Sequence, residues 1–244
     1  YAVVRDARDM PAAAVIGAEA GRRAAARLGG VKLETRTAPV LFPARVARGL
    51  IGSLLGAISG GALYRKASFL VDALDTPVFA SLVTIDERPH LPRALASAPF
   101  DEEGVATADR CLVEAGVLRG YLLGSYYARK LGMASTGNAG GAHNLVVQST
   151  GESFAELLAK MDRGLVIADL MGSGINPVTG DYSRGASGFW VENGRIQYPV
   201  TEITVAGNLK DMYRGILGIG TDVDRRGAVL TGSILIDRMT IAGS

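Results

Sequence analysis

Apolar positions recur at helical spacing in several stretches of the chain. Between Pro11 and Leu28 the residues Val15, Ile16, Ala20, Ala24 and Leu28 share a face. Pro11 suits a first turn, and Gly29-Gly30 stops the run. Between Pro43 and Ile58, Val46, Leu50, Leu54 and Ile58 recur with the same spacing. The second half of that stretch carries Gly52 and Gly56, followed by Gly60 and Gly61. Each glycine weakens helicity by about 1 kcal/mol, so their clustering predicts close packing against another backbone. Ser125 to Leu131 (ending at Gly132), Ser153 to Met161, and Asn208 to Ile216 with an Asn208 cap are three further helices.

Other stretches alternate or run continuously apolar, as strands do. Val31 to Phe42 reads as extended with a break at Pro39, and Val78 to Ile85 as a strand. Arg110 to Val113 and Val117 to Leu122 form a hairpin about Glu114-Ala115-Gly116. Leu165 to Met171 is apolar enough for a strand buried on both faces. Ala186 to Glu192 and Arg195 to Val200 flank Asn193-Gly194, a pair that tolerates the positive φ of a type I′ turn. Ile203 to Val205 and Ile234 to Ile241 complete the strands. Short turns between successive strands, with a few helices, predict an α+β fold. Its sheet is largely antiparallel or mixed, and barrel-like, with several flanking helices. A Pro-rich connector from Arg88 to Pro99 is the one candidate internal boundary.

Composition narrows the function. The chain has 244 residues, 48% hydrophobic and 20% charged, with a net charge of +2. That is an ordinary globular balance, with no pull toward nucleic acid or membrane. No apolar run reaches the ~20 residues of a spanning helix. A single cysteine, Cys111, excludes an intramolecular disulfide. The chain opens at Tyr1 without a basic-then-apolar signal segment, and reads as a fragment or processed piece in a reducing, cytoplasmic setting.

Several chemistries are missing. His90 and His143 are the only histidines, too far apart for HExxH or HExxxH on one helix. There is no G-x-S-x-G and no Walker A motif. Cys111 sits in an apolar strand pattern, which suits a buried structural thiol. Gly215 to Gly220 follows a helix rather than a strand, so it is no dinucleotide loop. Asp101, Glu102 and Glu103 are adjacent and do not converge, which suits a solvated loop. Two glycine-rich loops, Ser135 to Asn144 and Asn176 to Gly185, could be turns or could lend amides and N–H groups to a ligand.

Five motifs in one order resemble the TldD/PmbA family. They are PFDEEG from Pro99, STGNAGG from Ser135, NPVTGDYSRGASGFWVENG from Asn176, AGNL from Ala206, and SILID with MTIAG from Ser233. The likeness covers essentially the whole chain and is closest to the PmbA (TldE) branch, once described as a modulator of DNA gyrase. It implies that residues 1–244 are the family's C-terminal domain, without its N-terminal domain. It also implies a cytoplasmic TldD–TldE heterodimer that cuts unfolded or extended peptides, such as a peptide-antibiotic leader or a labile antitoxin.

In the TldD branch a helix carries HExxxH, and a later cysteine completes the metal site. The resemblance sets Gly56, Ala57 and Gly61 at the positions of the first histidine, the glutamate and the second histidine. No cysteine lies between Arg225 and Ile234. The chain is thus expected to hold no metal and to be non-catalytic alone, with zinc in a TldD-type partner. Asn138, His143, Asp181, Tyr182 and Arg184 are the candidates for lining a peptide channel. The competing reading is a self-sufficient homodimeric metallopeptidase whose site draws on His90, His143 or Cys111 with carboxylates. A gyrase-binding role has no support of its own in the charge or the motifs.

Overall fold

The computed structural model describes residues 1–243. Its helices are α1 (Ala13–Ala25), α2 (Ala44–Ala57), α3 (Gly60–Tyr64), α4 (Ser125–Leu131), α5 (Phe154–Met161) and α6 (Leu209–Arg214). Its strands are β1 (Arg36–Phe42), β2 (Ile85–Glu87), β3 (Arg110–Glu114), β4 (Val117–Leu118), β5 (Leu145–Val147) and β6 (Gly164–Met171). They continue with β7 (Asp181–Glu192), β8 (Arg195–Asn208), β9 (Ile216–Ile219), β10 (Val229–Leu230) and β11 (Ile234–Ala242).

Strands β1, β6, β7, β8 and β11 close into a barrel, because β11 pairs with both β8 and β1. Only the β1–β6 contact is parallel within the ring. β9 lies beside the first residues of β11, along the edge that β8 occupies farther on. The expected mixed, barrel-like α+β architecture is therefore present. A second sheet runs in the order β10-β5-β2-β3-β4.

Alternation explains how the barrel is filled. Val40 and Phe42 of β1, Leu165 and Ile167 of β6, and Ile234 and Ile236 of β11 join the main core. Their neighbours Leu41, Val166 and Leu235 point the other way. There they pack with Leu157 and Met161 of α5 and Val191 of β7. Both faces of these strands are covered, which is why they read as continuous apolar runs. A capping box holds the start of α5: Ser153 accepts from the Glu156 N–H while Glu156 accepts from the Ser153 N–H.

α2 lays Ala47, Leu50, Ile51 and Leu54 into the core. The Tyr213 hydroxyl donates to the Leu50 carbonyl at 3.1 Å, and its ring stacks on Phe79 at 4.3 Å. The opposite side of α2 is bare: a methyl group at Gly49, Gly52 or Gly56 would meet nothing within 4 Å. The close packing expected at these glycines is thus not made within this chain, although a methyl group at Gly60 in α3 would come within 2.6 Å of the Tyr127 side chain.

The structure corrects several other elements. Val78 to Ile85 is not a strand before Ile85: both Val78 and Phe79 donate to the Gly116 carbonyl, and Ala80 donates to that of Tyr213. Regular ladders cannot form when neighbouring N–H groups share one acceptor. The second arm of the first hairpin stops at Leu118, and the helix from Leu209 ends at Arg214, two residues before β9 begins at Ile216. α1 forms, but its apolar residues stay out of the core, with Val15 62% exposed, and Leu28 beyond its end is 77% exposed. The segment 88–99 is an excursion between β2 and β3. The Asn144 side chain pins it by accepting from Ala96 N–H and donating to the Arg88 carbonyl and Ser97 hydroxyl.

Candidate functional site

The glycine-rich loop from Ser135 to Asn144 folds over a buried carboxylate. Glu87 ends β2, only 1% exposed. Its Oε2 accepts from Arg110 Nε at 2.7 Å, and its Oε1 accepts from Asn138 Nδ2 and the His143 backbone N–H, both at 2.8 Å. The His143 ring Nδ1 lies 3.1 Å from the same Oε1. An ionised carboxylate only accepts, so Nδ1 carries the ring proton. Asn138 Oδ1 accepts from Arg110 Nη2 and Thr136 Oγ1, both at 2.7 Å. Burial pushes the Glu87 carboxyl up. The Arg110 guanidinium and the donated N–H groups outweigh it, so Glu87 is held below the usual carboxylate range.

A carboxylate with both oxygens engaged and its proton lost is a poor general base. Asn138 and His143 are therefore brought together, but as parts of a tie that fixes the loop. Asp101 repeats this design. It is buried rather than solvated, and its carboxylate accepts from the Glu103, Val105 and Ala139 N–H groups, each at 2.9 Å. Burial raises its pKa, and these donors pull it net downward.

The other channel candidates lie elsewhere. Asp181 starts β7 and binds Thr179 Oγ1 at 2.6 Å and Asn208 Nδ2 at 3.0 Å, an exposed brace between β7 and β8. Tyr182 is in the core, its phenol pushed up by burial and eased back by the Arg184 charge. Arg184 reaches a cavity of about 460 Å³ that Arg45, Arg48, Gly49, Asp169 and Val229 also line. The five candidates thus do not line one groove. Sequence reasoning passed over Glu87, Arg110 and Arg45. Arg184 carried a usable signal, since it shares strand parity with the buried Tyr182 and Ala186.

The positions set against a metal-binding helix offer no ligand atoms. Gly56 and Ala57 end α2, whereas Gly61 belongs to α3 beyond a break at Ile58 and Ser59, so the three do not share one helix. Among the described residues no three His, Cys, Asp or Glu side chains are grouped as a metal would need. His90 Nε2 faces Thr107 Oγ1 at 3.0 Å, and the Cys111 thiol points at the Val113 carbonyl at 3.2 Å. Neither joins His143. These residues do not fit a resident metal, and no helix of the described residues is long and apolar enough to cross a membrane.

Comparison with known proteins agrees with the fold and the motifs. The family model described as the PmbA/TldA metallopeptidase C-terminal domain matches residues 35–243. The metalloprotease PmbA of Escherichia coli O157:H7 is 51% identical over the whole of this chain, which covers 54% of that protein. A solved Thermotoga maritima protein, described as a proposed modulator of a DNA gyrase, superposes with a TM-score of 0.91 at 34% identity. That match covers 97% of this chain and 56% of that one. TldE from Thermococcus kodakarensis shares the fold with a TM-score of 0.82 at 24% identity, over 94% of this chain and 55% of its own. The chain spans about half the length of the curated relatives it matches. With its barrel, its ordered motifs and these matches, the chain belongs to the PmbA/TldD metallopeptidase family.

Proposed function

We propose that this chain is the metal-free subunit of a two-subunit cytoplasmic peptidase, and that a TldD-type partner supplies the metal and the chemistry. The observation that carries the reading is the donor inventory of α2 and α3. Where a metallopeptidase needs two histidines and a glutamate, these helices present Gly56, Gly61 and Ala57. A peptidase needs an open metal position or a nucleophile beside a base, and the histidines and the cysteine here are committed to separate contacts.

The scaffold left behind suits substrate handling. The bare side of α2 gives a second subunit room to approach closely. β10, an outer strand of the second sheet, borders the arginine-lined cavity. An extended peptide is commonly held by adding a strand to such an edge.

The test compares the full-length protein alone and co-purified with a TldD-type subunit, reading elemental metal content and cleavage of an unfolded peptide. Alone, it should carry almost no zinc, iron or manganese and cut nothing; the pair should cut. About one dialysis-resistant metal per chain, with activity lost in His143→Ala, would instead establish the self-sufficient metallopeptidase.

A further inference from the structure

Between α2, the end of β6, β7 and the approach to β10 lies a cavity of about 460 Å³ with a marked charge imbalance. Its lining holds three guanidinium groups, Arg45, Arg48 and Arg184, and one carboxylate, Asp169. Asp169 is shared: it pairs with Arg27 at 3.5 Å and also acts on Arg45, so it offsets part of the positive charge. Arg48 is fixed to the wall, donating to the Arg226 carbonyl at 2.7 Å and to the Tyr1 hydroxyl at 3.0 Å, with Asp224 3.7 Å from its Nε. Arg45 and Arg184 have no carboxylate within ion-pair distance among the described residues.

Two further features point to an anion. Among the described residues, the buried side-chain polar atoms without a hydrogen-bond partner are Arg48 Nε, which has Asp224 3.7 Å away, and Arg184 Nε; both residues line this cavity. An orphaned buried donor is costly unless something occupies it. Arg45 stands in the first turn of α2, whose positive end carries no acidic residue and no side-chain cap. Burial and repulsion from Arg23 disfavour its charge, Asp169 offsets only part of this, and a bound anion would offset more.

We infer that this cavity binds a carboxylate carried on an extended peptide, with Arg45 and Arg184 as its two donors. The peptide as carrier rests on the substrate-handling role proposed above. A carboxylate suits the lining better than a phosphate does. Val46, Leu170 and Val229 flank the arginines, a surface for a methylene stem, and no lysine or side-chain hydroxyl lines the cavity. The planar guanidinium matches two oxygens of a carboxylate or of a phosphate, so the apolar flank is what favours the carboxylate.

The test titrates the full-length protein at low salt with glutarate and with three labelled peptides. One contains a glutamate and has an amidated end, the second replaces that glutamate by glutamine, and the third is the glutamine peptide with a free C-terminus. Glutarate should bind. One carboxylate peptide should bind at least tenfold more tightly than the neutral peptide, and which one separates a side-chain source from a terminal one. Arg184→Gln and Arg45→Gln should each weaken that binding about tenfold or more, and Asp169→Asn should tighten it. Arg45, on a helix surface, keeps the test usable if Arg184→Gln does not fold. Glutarate bound and lost in the arginine variants while no peptide binds would keep the carboxylate site and remove the peptide reading. Peptides bound equally with or without a carboxylate, and glutarate unbound, would keep that reading and overturn the site. Preferential binding of inorganic phosphate would also overturn it.

Discussion

Glu87 and Arg110 are direct cross-strand partners in the β2–β3 ladder, and their side chains meet at 2.7 Å beneath the glycine-rich loop. The same carboxylate also holds Asn138 and the His143 backbone, so one acidic side chain joins two strands to the loop. Replacing it by glutamine keeps the shape but leaves a largely buried guanidinium without its counter-charge. Glu87→Gln should lose about 3 kcal/mol of stability, read as a lower urea midpoint at unchanged slope.

The acid response follows from the same group. The folded Glu87 carboxyl sits below the ordinary carboxylate range, so folding favours its ionised form. The stability it contributes is fully present above the unfolded value, about 4.3, and drains away as pH falls through the folded value. The wild type should therefore lose stability below about pH 4.3 more steeply than Glu87→Gln, and the gap between them should narrow with acid. Parallel thermal melts from pH 7 to pH 3 check this; a gap that stays constant would place the cost of the substitution outside the charge.

The bare side of α2 makes a prediction of opposite sign. A methyl group at Gly52 meets nothing, and Gly52 lies in the helix interior. Gly52→Ala should stabilise the isolated chain by about 0.5–1 kcal/mol, seen as a higher melting temperature. If a partner subunit covers this side, Gly52→Leu should leave the fold intact while abolishing co-purification with a TldD-type subunit.

At the β7–β8 turn, Asn193 and Gly194 take φ of 51° and 66°, and a Cβ at Gly194 would come within 2.9 Å of Ala159 Cα in α5. Gly194→Ala combines left-handed strain with a backbone clash, so it should destabilise by about 1–3 kcal/mol, measured by chemical denaturation. Asn193→Gly, which removes only the strain, should be near neutral.

That turn also shows what the sequence makes legible. Asn193-Gly194, the Ser153 cap and the Gly132 stop act through neighbours a few residues away, and each lies where local chemistry sets it. Val78 to Ile85 looks like a strand, yet the N–H groups of Val78, Phe79 and Ala80 donate to Gly116 and Tyr213, far along the chain. β5 and β10 are too short to show any period. The site divides in the same way. Asn138 and His143 stood out because their loop is unusual, but their common partner Glu87 is an acid in a polar stretch and gives no signal. The cavity joins Arg45 to Arg184 through tertiary folding alone.

The barrel's closing seam joins Arg36 to Ile241, residues far apart in the sequence. A ribosome makes the two edges of that seam far apart in time. Until β11 is released, β1 has a free side, β8 lacks its second neighbour, and β9 has no strand to lie against. Unpaired edges of this kind are where nascent chains associate wrongly. Closure that waits for a strand so far along the sequence from β1 should make folding slow, with a window in which the incomplete barrel exposes its unpaired edges.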